Sequence, residues 1–175
     1  MNITLIGMPG VGKSTIGKEL AKKLDYKFID TDKLIEKKFG LKLYKLIQNV
    51  GEDKFLEIEE KTNLELGKFN NCVISPGGSI VYSSKAMEFL KKSSIVIFLD
   101  SRIEIITKRL INQETRGIIG LKKGLKNLFK ERQELYKRYA DIIIETADNP
   151  KKVVRDIIKI TQKYSTKNLK DKFKN

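Results

Sequence analysis

Five short runs of apolar residues punctuate the chain: "NITLI", "YKFID", "CVISP", "SIVIFLD" and "ADIIIE". Each is five to seven residues long, rich in β-branched side chains, and apolar at successive rather than alternate positions. That pattern fits strands covered on both faces, as in a parallel sheet. Between the runs lie longer stretches with helical spacing, such as "TIGKELAKKL", "KLIEKKF", "RIEIITKRL" and "ERQELYKRYAD". Strand and helix in alternation predict a three-layer α/β domain. Ligands of open α/β sheets bind beyond the carboxyl ends of the strands, so the residues just after each run carry the most information.

After the first run comes "GMPGVGKST", which contains G-x-x-x-x-G-K-S from Gly7 through Gly12, Lys13 and Ser14. Strand, glycine loop and helix in that order form a phosphate cradle. The loop aims backbone N–H groups inward, and the helix start favours an anion. Lys13 is placed to reach the outer phosphates of a nucleotide, and Ser14 offers Mg²⁺ a hard oxygen ligand. After the second run, Asp30 and Asp32 stand two residues apart. One carboxylate suits Mg²⁺ and the other an acceptor hydroxyl. The plainer alternative has Asp32 capping the next helix and Asp30 simply solvated. After the third run, "PGGS" places Gly77 and Gly78 where backbone could approach a substrate closely, or could form an ordinary turn. "NQETRGIIG" reads as a polar loop carrying Arg116, suited to a lid.

Composition narrows the chemistry. The 175 residues contain no histidine and one cysteine, Cys72. Histidine triads, histidine acid–base steps and a structural zinc site are therefore excluded. Lys, Arg, Asp, Ser and backbone N–H groups remain, and with Mg²⁺ they suit phosphoryl transfer. The lone cysteine, the absence of a leader pattern and the lack of an apolar run of roughly 18 residues lead us to expect a cytoplasmic protein without a membrane span. A net charge of +14 leaves nucleic acid open as an alternative partner. The lysines are scattered, however, and a positive field also attracts anionic small molecules. One domain is expected over residues 1–164, as a monomer, with residues 165–175 a basic frayed tail.

Taken together, "GMPGVGKSTIG", "FIDTD", "GEDKFLEIEE", "PGGS", "TRGIIG" and "ERQELYKRYAD" resemble the shikimate kinase family in order and spacing, over residues 1 to about 163. The resemblance implies a P-loop kinase fold with a five-stranded parallel sheet, a lid near residues 112–124 and a helical substrate-binding region near 33–62. It implies ATP and Mg²⁺, with a small-molecule alcohol, shikimate above all, as acceptor. By the same resemblance, Gly10, Val11, Gly12, Lys13, Ser14 and Thr15 hold the ATP phosphates. Ser14 and Asp30 serve Mg²⁺, and Asp32 binds the acceptor hydroxyl as candidate base. Gly77, Gly78 and Arg132 hold the acceptor, Arg132 through its carboxylate. Arg116 contacts ATP from the lid, while Arg109, Asn149 and Pro150 flank the adenine. The chain departs from the family pattern in three places. Leu56 stands where the family usually has an arginine, Ser79 where it tends to have a third glycine, and Gly117 where it tends to have a proline. Leu56 either marks a pocket reshaped for another small alcohol or simply packs its helix, with Lys54 as a possible source of the missing charge.

Overall fold

The computed structural model describes residues 1–66, 69–110, 117–146 and 149–172, with side chains described through residue 163. All five apolar runs form strands: β1 (Ile3–Ile6), β2 (Lys27–Asp30), β3 (Cys72–Ser75), β4 (Ile95–Asp100) and β5 (Ile142–Glu145). They make one parallel sheet in the order β2-β3-β1-β4-β5. β1 and β3 are buried at every position, and β4 at all but its last. The edge strands β2 and β5 are only partly covered. This gradient explains why the central runs are continuously apolar, while the edge runs begin or end on Lys27, Asp30 and Glu145.

The helices are α1 (Lys13–Leu24), α2 (Thr31–Phe39), α3 (Leu43–Val50), α4 (Glu52–Leu64), α5 (Ser84–Ser93), α6 (Ile103–Leu110), α7 (Leu125–Tyr139) and α8 (Pro150–Lys172). α8 continues through residues 165–172, where the sequence led us to expect a frayed tail. Among the described residues no helix is long and apolar enough to cross a membrane.

Two apolar clusters hold the molecule. The larger surrounds the sheet and includes Leu5, Leu20, Val73, Ile97, Leu128 and Tyr136. The smaller joins Ile35, Leu43, Leu46, Phe55 and Ile119, and ties α2, α3 and α4 to the segment just after residue 116. Glu52 reinforces that tie by accepting the Gly120 N–H at 3.1 Å. In the sheet order β1 lies between β3 and β4, so the chain leaves it toward β2 and later returns on its other side. That reversal opens a crevice at the carboxyl ends of the strands.

Candidate active site

A crevice of about 730 Å³ lies at that reversal. It brings together Gly10, Val11, Gly12, Lys13, Ser14, Thr15, Asp30, Asp32, Gly77, Gly78, Arg109, Arg132 and Pro150, which the sequence scatters over 140 positions.

The phosphate-loop side is built from backbone. β1 ends at Ile6 and α1 begins at Lys13, with Gly12 as its N-cap at φ 105°, a conformation that excludes most side chains. No side chain caps α1, so its first N–H groups and its dipole are left for an anion. The Lys13 ammonium donates to the Gly7 and Met8 carbonyls at 2.8 and 3.2 Å. Burial lowers its pKa to about 8, against the pull of Asp32. Arg109, from α6, donates to the carbonyls of Gly10 and Val11 at 3.3 Å each.

At the end of β2 the two aspartates separate. Asp30 is the N-cap of α2, and its Oδ1 accepts the Lys33 N–H at 3.2 Å. Its Oδ2 accepts the Ser14 hydroxyl at 3.0 Å. Asp32 does not cap; it sits in the first turn of α2 and lines the crevice. The cap is thus Asp30, where the plainer reading had Asp32. Burial raises Asp32 to about 6, partly offset by Lys13.

Gly77 and Gly78 follow β3. A Cβ on Gly77 would stand 2.1 Å from Glu59 Oε1 and 2.7 Å from Asp32 Oδ1, so any side chain there would displace those carboxyls. Arg132 of α7 is 1% exposed, a buried cation at the crevice wall. Its Nη2 donates to Ile119 O at 2.9 Å, its Nε to the Tyr82 hydroxyl at 3.3 Å, and its guanidinium lies over the Tyr82 ring at 5.1 Å. Among the described residues no carboxylate pairs with it.

Some expectations fall elsewhere. Arg116 and residues 112–115 of the expected lid lie outside the described residues, whereas Gly117, Ile118 and Ile119 line the crevice. Asn149 is not among the lining residues; its Oδ1 accepts the Lys152 N–H at 3.2 Å at the start of α8. Leu56 packs half-buried against the smaller apolar cluster. Lys54 is exposed and pairs with Glu57, away from the crevice.

Sequence reasoning passed over two residues. Tyr136 is fully buried, and its hydroxyl donates to Gly78 O at 2.6 Å and fixes the glycine turn. Glu59 is a buried acid on the inner face of α4, alongside Phe55, Thr62 and Asn63. A glutamate four residues after Phe55, on the same helical face, was the available signal.

The shikimate kinase family model matches residues 9–162. The chain belongs to the shikimate kinase family. A shikimate kinase of Clostridium botulinum is 39% identical over 158 residues, covering 90% of this chain and 95% of that protein. One from Caldanaerobacter subterraneus is 32% identical over 167 residues, covering 91% and 97%. The structure of shikimate kinase from Acinetobacter baumannii in complex with shikimate superposes with a TM-score of 0.86 at 29% identity, covering 93% of each chain. The five-stranded parallel sheet and its flanking helices are thus those of a shikimate kinase.

Proposed function

We propose that this member of the shikimate kinase family transfers the γ-phosphoryl group of ATP to a hydroxyl of shikimate, giving shikimate 3-phosphate. The observation that most supports this reading is Arg132. It is a buried guanidinium without a carboxylate partner among the described residues, in the same crevice as the phosphate loop and Asp32. A desolvated cation of that kind is costly unless a ligand anion completes it, and a planar guanidinium suits a carboxylate.

The chain's residues divide the work. The N–H groups of the loop from Gly10 to Thr15 and Lys13 hold the nucleotide phosphates, and Arg116 closes on them from the lid. Arg109 and Pro150, with Asn149 behind, flank the nucleotide at its other end. Asp32 orients the acceptor hydroxyl and accepts its hydrogen bond, while Gly77, Gly78 and Arg132 position the rest of the acceptor. Ser14 and Asp30 fit Mg²⁺: both are hard oxygen donors, already 3.0 Å apart at the mouth of the loop. Among the described residues no cluster of three or more Asp, Glu, Cys or His side chains could hold a metal alone. Mg²⁺ bound there would take its other ligands from phosphate and water, and would neutralise charge on the transferring group.

Leu56 favours a second reading, the same chemistry on another small alcohol with less need of a carboxylate clamp. Coupled ADP release, with ATP and Mg²⁺ and a panel of shikimate, other small alcohols, sugar acids and nucleosides, separates the two. Saturable turnover on shikimate is expected. Turnover on a different alcohol alone would replace the acceptor.

A further inference from the structure

The guanidinium of Arg132 reaches the crevice wall already engaged. Its Nε donates to the Tyr82 hydroxyl at 3.3 Å and its Nη2 to Ile119 O at 2.9 Å. The Tyr136 hydroxyl takes a further hydrogen bond from it. Nε and Nη2 form one side of the planar fork, and groups of the protein itself fill that side. Nη1 lies on the other side. It stands 3.1 Å from where a Cβ on Gly78 would be, so it faces the glycine turn that lines the crevice.

Tyr82 supports the fork in two ways. Its hydroxyl accepts the Nε–H, and its ring lies against the flat face of the guanidinium, 5.1 Å from the ring centroid to Cζ. The first contact fixes rotation within the plane and the second resists tilting out of it. Tyr82 is itself held firmly. It ends the single helical turn Ile80–Tyr82, whose Ile80 and Val81 are buried, and its N–H donates to Ser79 O at 3.0 Å. The segment that makes the glycine turn therefore also carries the support for Arg132. The Tyr82 hydroxyl in turn hydrogen-bonds to the Glu131 carboxylate, and Glu131 pairs with Lys123 at 3.4 Å. A hydroxyl that gives its proton to a carboxylate is a better acceptor for the Nε–H.

We propose that Tyr82 is a positioning residue for the acceptor: it fixes the plane of Arg132 so that Nη1 is presented, already oriented, to a carboxylate lying over Gly78. A long side chain free to rotate loses that freedom when it binds; one held at Nε and across its face has lost it beforehand. Tyr82 is not among the residues lining the crevice, so it acts through Arg132. The proposal rests on Arg132 taking the carboxylate of the acceptor.

Tyr82→Phe in the full chain keeps the ring and removes the hydroxyl. With ATP saturating, the KM for shikimate should rise about three- to tenfold, while kcat and the KM for ATP stay within about twofold. In an Arg132→Lys background the same change should add less than about twofold, because the fork that Tyr82 orients is gone. Equal changes in both KM values, or an equal rise in both backgrounds, would reduce Tyr82 to a packing residue and overturn the proposal. Nitrogen-15 NMR of the arginine Nε–H groups reads the support without turnover. The Arg132 signal, identified by its absence from Arg132→Lys, should exchange slowly with water in the wild type and about tenfold faster in Tyr82→Phe. A wild-type signal that exchanges as fast as those of exposed arginines, or one that Tyr82→Phe leaves unchanged, would equally overturn it. Absence of shikimate turnover, with the signal still dependent on Tyr82, would instead count against shikimate as acceptor and leave the support of Arg132 standing.

Discussion

The two halves of the crevice are built by different means. The phosphate side is made of main chain from one contiguous loop, an uncapped helix start and a single lysine. The acceptor side is made of side chains from α2, α4 and α7 around Gly77 and Gly78. On the first side the donors are fixed by backbone geometry and tolerate change around them. On the second, a buried cation and two carboxyls lie close enough to feel one another's charge, so single substitutions alter charge balance as well as shape.

The largest test of this contrast is Lys13→Ala. It removes the side-chain charge that the phosphate loop itself carries and should lower kcat by about 10²–10³-fold or more, with the fold intact by circular dichroism. Near-normal turnover would dismiss the phosphate-loop assignment. Arg132→Lys keeps a charge but loses the bonds to Ile119 O and Tyr82. It should raise the KM for shikimate about ten- to a hundredfold, with a smaller effect on the KM for ATP. An equal change in both would erase the distinction between the two sides.

The pH profile sharpens the same contrast. Asp32 must be ionised to accept the acceptor hydroxyl, and its value is raised from 3.8 to about 6. The form that works is therefore lost as pH falls through about 6, and kcat/KM should drop about tenfold per pH unit below it. An acid limb near the ordinary aspartate value would show that Asp32 is not the group. Gly77→Ala inserts a methyl against Glu59 and Asp32. It should cost about 1–3 kcal/mol of stability, read as a lower Tm, and displace the acceptor carboxyls. Unchanged Tm and KM would mean the glycine turn is not tightly held. The smallest effect is expected from Leu56→Arg. One turn before Glu59, the new guanidinium would lie near a buried acid that no ion pair reaches among the described residues, and should lower the KM for shikimate by up to about tenfold. A raised KM would show that the pocket has been reshaped around leucine.

Legibility in the sequence follows the same division. Lys13, Ser14 and the glycines announce themselves because the phosphate cradle is local: its parts are consecutive and its geometry follows from strand, turn and helix. Arg132 drew attention only through family resemblance, because one arginine on a helix says nothing about what lies opposite. Asp30 and Asp32 were found as a pair, but their roles depended on where β2 stops and α2 begins, a difference of two residues. Glu59 stayed hidden because a glutamate in "GEDKFLEIEE" looks like solvated helix surface until α4 packs its inner face against the glycine turn.

The chain by itself determined the five-stranded parallel architecture and the phosphate side, since both arise from short-range periodicity and from one loop whose hydrogen-bonding groups are its own backbone. Tertiary structure alone decided the acceptor side. It set Asp32 on the crevice and Asp30 on the helix cap, drew Arg132 in against Tyr82 and Ile119, and buried Glu59 behind Gly77. Those placements fix which groups lose their water, and loss of water is what sets their charge.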